Sequence, residues 1–214
     1  MRSESSPIGQ EAIRTFTETA RRAQIVAAAI DTIAELGYGQ ASLARIAETA
    51  GTSKGVIIYH FGGKDELMRE LVAEVVARGV AYMEPQVDAE PTGAGKLRAY
   101  IESNLAFMGE NRNRMAAIFE IALNARAADG SRLYDSAYHD MSVAAVQELL
   151  VHFQGTGEFL SSFDPHVMAM AIRAAINVVP AHLARDPALD VAHHAREIAD
   201  MFHIATRPGS HSVP

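Results

Sequence analysis

The chain has 214 residues, 49% of them hydrophobic, enough for one ordinary domain or two small ones with a real core. It has no cysteine, which excludes a disulfide framework, a thiolate zinc site and a cysteine nucleophile and fits a reducing compartment. A formal charge of −7 argues against a nucleic-acid partner until its distribution is read: residues 1–70 carry 8 Lys/Arg and 9 Asp/Glu, net −1, whereas 71–214 carry 11 and 17, net −6.

The opening "MRSESSPIGQEAIRTF" has no apolar core of the signal-peptide kind, and no later run approaches the roughly 18 uninterrupted apolar residues of a membrane span. A soluble, cytoplasmic protein with no membrane partner is expected. Residues 1–18 are polar, rich in Ser and Glu, and carry Pro7 and Gly9, the composition of a flexible arm. Ile25, Ala29, Ile33 and Leu36 then recur on one helical face that Gly37 closes. Ser42 is placed to cap a short second helix with Leu43, Ile46, Ala47 and Ala50 inward, ended by Gly51. Thr52 or Ser53 caps a third whose apolar side is Ile57, Ile58 and Phe61. After Gly62 and Gly63 a longer helix runs to about Met83, with Asp65 and Glu66 where the helix dipole favours acid.

"EPQVDAEPTGAG" breaks the periodicity and reads as a linker or kink. Three amphipathic helices follow, in "KLRAYIESNLAFMGEN", "RMAAIFEIALNARA" and "SRLYDSAYHDMSVAAVQELLVHF". "QGTGEFLSSFDP" is a loop that tucks Phe159, Leu160 and Phe163 under its neighbours. Asp164 and Pro165 begin a helix to about Arg185, bent at Pro180, and a last helix spans roughly Asp190 to Thr206. With no alternating strand pattern, the fold class is all-α, about nine helices, divided as arm 1–18, three-helix unit 19–66, helical bundle 67–206 and tail 207–214.

Ile46 and Ala47, Gly51 and Ile57 have the spacing of a helix-turn-helix, with a plain helical hairpin as the alternative. The residues the core does not use favour DNA. Ser42, Thr52 and Ser53 stand at helix N-termini, where hydroxyls and free N–H groups suit phosphate oxygens. Lys54 and Lys64 add charge, Tyr59 and His60 can reach a backbone phosphate, and Gly55 allows close approach to base edges. Singly, each has a bland reading: the hydroxyls as caps only, Tyr59 as half-buried core, His60 packed on the first helix. "GGKDEL" is a poor phosphate-cradling loop, because it follows a helix and has Asp65 where a hydroxyl is needed.

"RRAQIVAAAIDTIAELGYGQASLARIAETAGTSKGVIIYHFGGKDEL" resembles the N-terminal DNA-binding domain of the TetR family of bacterial transcriptional regulators, over Arg21 to about Leu71. The resemblance rests on Gly37-Tyr38, Ser42 with Ile46-Ala47, Gly51, Lys54-Gly55, His60-Phe61, and Lys64 with Leu67. It implies a homodimer on a palindromic operator, usually a repressor, released by a small molecule in the C-terminal domain. It implies mainly phosphate contacts for Ser42, Thr52, Ser53, Tyr59, His60 and Lys64, with Lys54, Gly55 and Val56 nearest the bases. Family members usually carry a tyrosine where this chain has Ile58, so Tyr59 is expected to take over that contact.

In the second part, Tyr82, Met83, Tyr100, Phe107, Met108, Met115, Phe119 and Met141 can line an adaptable apolar cavity or simply form core. Asn104, Glu120, Asn124 and Tyr138 are the polar candidates for orienting a ligand; Glu120 between Phe119 and Ile121 suits a cationic or hydroxylated one. Val167, Ala171, Ala174 and Val178 form a small-residue stripe, and Val191, Ala195, Ile198 and Phe202 another, read together as a four-helix interface between two subunits. Nine histidines show no metal-ligating spacing, and no catalytic motif occurs, so neither metal, cofactor nor catalytic residue is expected. The rival reading is a helical small-molecule-binding protein or enzyme of the same fold that does not touch an operator.

Overall fold

A computed structural model describes residues 7–126, 130, 136–186 and 188–208, the side chains of 7–16 and 136–140 excepted. Among them are ten helices: α1 (Pro7–Leu36), α2 (Leu43–Thr49), α3 (Lys54–Phe61), α4 (Lys64–Asp88), α5 (Gly93–Glu110), α6 (Arg112–Asn124), α7 (Ser136–Gly155), α8 (Pro165–Asn177), α9 (Val179–Arg185) and α10 (Val191–Thr206). The all-α expectation holds. The chain divides into two compact units, Met1–Ala73 and Glu74–Pro214, with the boundary inside α4 rather than at residue 67.

In the first unit, Ile25, Ala29 and Ile33 of α1 are wholly buried with Ile46 of α2, Ile57 of α3 and Leu67 of α4. α1 starts at Pro7, so residues 7–18, expected as part of an arm, are helical. Proline at the first helical position is preset for the helix, and "QEAIRTFTETARRA" beyond Gly9 contains nothing to stop it. The rest of that arm, residues 1–6, and the end of the tail lie outside the described residues.

The glycine stops are where the periodicity places them. Gly37 (φ 77°) closes α1, donating its N–H to Ile33 at 2.9 Å. Gly51 (φ 60°) ends α2 as a Schellman motif, in which its N–H reaches Glu48 and that of Thr52 reaches Ala47. Gln24 of α1 supplies the remaining partner, donating Nε2 to the Ala50 carbonyl at 2.9 Å. Thr32, buried in α1, donates to Ala28 and lies 3.0 Å from the Thr49 hydroxyl, a polar tie between α1 and α2.

The second unit is a helical bundle centred on α5, which packs most extensively against α10 and also meets α6, α7, α8 and α9. Arg98 of α5 is paired with Glu102 at 2.9 Å and with Asp200 of α10. The loop after α7 tucks in as expected: Phe159 is buried against Phe153, and Gln154 Nε2 donates to the carbonyls of Leu160 and Phe163.

Two boundaries differ from the sequence reading. α4 continues through Pro85 to Asp88, leaving Ala89–Thr92 as the connection; the ammonium of Lys96 reaches the Val87 carbonyl at 2.9 Å and satisfies one end group. The expected single helix 165–185 is broken at Val178 into α8 and α9, two residues before Pro180, whose missing N–H and ring disrupt the preceding turn. Residues 165–185 are long and apolar enough to cross a membrane by length and composition alone, but they carry this break and the buried Arg173.

Candidate functional site

α2 and α3 owe their starts to two hydroxyls. Ser42 Oγ accepts the N–H of Arg45 and Ser53 Oγ that of Val56, each at 3.3 Å. Both serines are exposed, so their second lone pairs and the remaining end N–H groups face outward. Thr52 is half-buried in the Schellman turn, and Ser53, not Thr52, is the cap of α3.

α3 is anchored by Ile57 and Phe61, four residues apart on one face and both buried. Ile58 does not join them: it is 43% exposed. A hundred degrees of helical rotation separates neighbouring residues, and an eight-residue helix crossing two neighbours has room for one buried stripe. Tyr59 is 82% exposed, which removes the half-buried alternative for it. Lys54, Gly55, Ile58 and Tyr59 therefore share the outer surface of α3, with Val56 half-buried at its edge.

A Cβ on Gly55 would meet only Ser53 Oγ, at 3.7 Å, so nothing in the protein demands glycine there. His60 is half-buried, its ring edge-on to Tyr59 and to Phe61, with Nδ1 buried and unpartnered among the described residues. Arg22 of α1 fixes the end of α3 by donating to the His60 carbonyl, stacking 4.5 Å over Phe61 and pairing with Glu70 of α4. Lys64 is half-buried, its ammonium 4.0 Å over the Tyr38 ring and 2.9 Å from the Tyr38 carbonyl; burial pushes its pKa below the usual lysine value. Arg45, the single basic residue of α2, lies exposed one turn from Ser42. It was legible only as a lone charge on a short helix.

In the second unit, Asn104, Phe107, Met108 and Met115 are buried, while Tyr82, Met83, Tyr100, Phe119 and Glu120 are half-buried. Tyr82 stacks on Phe107 at 5.7 Å and donates its hydroxyl to Glu110, which pushes its pKa up. Two expected lining residues are on the surface. Met141 is 72% exposed, and Asn124, at the end of α6, donates back to the Glu120 carbonyl and carboxylate. The Tyr138 side chain lies outside those described.

The two apolar stripes also separate. Val167, Ala171, Ala174 and Val178 are exposed along α8, α9's start included. On α10, Val191 and Ala195 are buried, with Val191 against Gly109 of α5, and Ile198 and Phe202 are half-buried. That stripe serves internal packing because α5 lies along it; the outward apolar residues of α10 are Met201 and Ile204, 63% and 60% exposed.

A three-helix unit with capped, outward-facing α2 and α3, followed by a helical bundle, defines the helix-turn-helix class. Residues 25–71 match the family model of bacterial regulatory proteins, tetR family. That match covers the helix-turn-helix of the first unit, which is thus similar to the DNA-binding domain of that family. It is 29% identical over 100 residues to the fatty acid metabolism regulator protein of Bacillus subtilis, covering 47% of this chain and 51% of the relative. It is 35% identical over 91 residues to the HTH-type transcriptional regulator BetI of Stenotrophomonas maltophilia, covering 41% and 45%. The chain thus spans about half the length of the curated relatives it matches. The fold extends further: the fatty acid degradation regulator FadR of Bacillus halodurans superposes with TM-score 0.74 at 20% identity, over 84% of this chain and 96% of that one. FadR of Bacillus subtilis, in complex with stearoyl-CoA, superposes with TM-score 0.73 at 20% identity, over 83% and 95%.

Proposed function

We propose that this protein is a DNA-binding transcriptional regulator, acting as a repressor in the cytoplasm and not as an enzyme. The observation that carries the reading is the outer surface of α3: a lysine, a glycine the fold does not need, an exposed isoleucine and an almost fully exposed tyrosine on one short helix. An unneeded glycine in a helix costs about 1 kcal/mol against alanine, and close approach of a base edge is a use that offsets it. Lys54, Gly55 and Val56 lie nearest the bases; Ser42, Thr52, Ser53, Tyr59, His60 and Lys64 serve the backbone, joined by Arg45. Ile58, at the surface, suits a thymine methyl.

A homodimer follows from the need to hold two such helices about one DNA turn apart over a palindromic operator. The exposed Val167, Ala171, Ala174 and Val178 with Met201 and Ile204 form its contact face. α4, shared by both units, is the element through which a small molecule in the second unit lowers DNA affinity. Genomic selection of bound DNA followed by footprinting tests the reading. Lys54→Ala should weaken the selected site by about 1–3 kcal/mol with the melting curve unchanged; unaltered affinity and base preference in that variant would reject the assignment.

A further inference from the structure

Arg173 of α8 is 5% exposed, and no carboxylate pairs with it among the described residues. Two of its five N–H groups are used: one on the Tyr100 hydroxyl and one on Asn177 Oδ1, both at 2.8 Å and both neutral acceptors. Its Nε is buried without a partner among the described residues. Tyr100, having accepted from the guanidinium, keeps its own proton to donate. One turn further along the same face of α5, Asn104 is 7% exposed.

The cluster therefore holds a full positive charge and a surplus of donors, in a bundle otherwise built from residues such as Ile101, Leu105, Ile172 and Ile176. A purely structural role explains this poorly. A buried charge left uncompensated opposes folding, and an apolar residue of similar size would pack there without that penalty. The planar guanidinium with flanking O–H and N–H groups matches the paired oxygens of a carboxylate or phosphate. Tyr100, half-buried, is the most exposed of Arg173, Tyr100 and Asn104.

We propose that the second unit binds an amphiphilic oxyanion, its carboxylate or phosphate oxygens on Arg173, Tyr100 and Asn104 and its apolar body among the neighbouring aliphatic side chains. This names the ligand class for the effector domain of the reading above and rests on it. It also replaces the cationic ligand expected from Glu120, whose carboxylate Asn124 engages at 3.2 Å.

The test uses the full-length protein with decanoate, decyl phosphate, decanol and decylammonium, followed by calorimetry and melting temperature. Decanoate or decyl phosphate should bind at least about tenfold more tightly than decanol and decylammonium, and whichever oxyanion wins identifies the head group. Arg173→Met should abolish that preference while melting no lower than the parent without ligand, since it removes a buried charge that no carboxylate compensates among the described residues. Tyr100→Phe, which keeps the ring, should weaken the oxyanion several-fold and covers the case in which Arg173→Met does not fold. Equal binding of decanol or decylammonium, an oxyanion preference that survives both substitutions, or no binding by any probe would overturn the proposal. DNA binding of the parent without probe is measured alongside; its presence or absence judges the regulator reading separately from the anion site.

Discussion

Gly93 shows how closely the second unit is packed. A Cβ there would lie 2.4 Å from Cγ and 2.7 Å from Cδ1 of Phe153, itself wedged against Phe159, while the Gly93 N–H donates to Glu158 at 2.7 Å. Alanine brings up to about 1 kcal/mol of helix propensity but overpacking costs about 1–3 kcal/mol, so Gly93→Ala should be net destabilising, read as a lower urea midpoint. Asp190, the N-cap of α10, accepts the His193 N–H at 2.9 Å, and that bond holds its pKa below the ordinary 3.8. The sign follows from linkage: the ionised form is favoured in the folded state, so its contribution is present above the unfolded value and lost as pH falls through the lower folded one. Asp190→Asn keeps a capping oxygen but does not titrate. Between about pH 5 and about pH 3 the variant should lose less stability than the parent in paired urea titrations.

α3 divides its residues cleanly between anchoring and display. Ile57 and Phe61 hold it, Arg22 fastens its C-terminal end to α1 and α4, Val56 and His60 are half-buried at its edges, and Lys54, Ile58 and Tyr59 stand in solvent. Tyr59 is the sharpest case, because an 82% exposed phenol contributes almost nothing to folding. Tyr59→Phe should leave the melting curve within about 0.5 kcal/mol of the parent. If the hydroxyl serves a phosphate, DNA affinity should fall by a similar factor for every sequence tested, since backbone contacts carry no base information. A change in base preference in that variant would move Tyr59 from the backbone to the bases.

In the second unit, Val167, Met170, Val178, Met201 and Ile204 are all 45% exposed or more. A monomer gains nothing from keeping these in water, whereas a second copy burying the same surfaces gains in proportion to the apolar area removed. The double substitution Met201→Asp with Ile204→Asp should shift sedimentation from dimer to monomer with little change in the unfolding of the isolated chain. Affinity for a palindromic site should fall far more than affinity for a half-site. A dimer of undiminished strength would remove this face from consideration.

Much of the first unit was legible in residue order because its signals are local. Gly37, Gly51 and Gly62 supply positive φ at helix ends, and Ser42 and Ser53 cap within three residues of themselves. Such features depend on a few neighbouring dihedrals and survive whatever packs around them. Which of two apolar faces turns inward is different in kind. Ile58 beside Ile57, and Met201 and Ile204 beside Val191 and Ala195, are equivalent by composition; only the position of the packing helix separates core from surface. Arg173 belongs to the same class. In the chain it is one cation in an apolar run, and its meaning comes from α5, which places Tyr100 against it and supplies no acid. Local chemistry therefore determined where the helices begin and end, and the long-range packing of helix on helix determined which residues each of them offers to a partner.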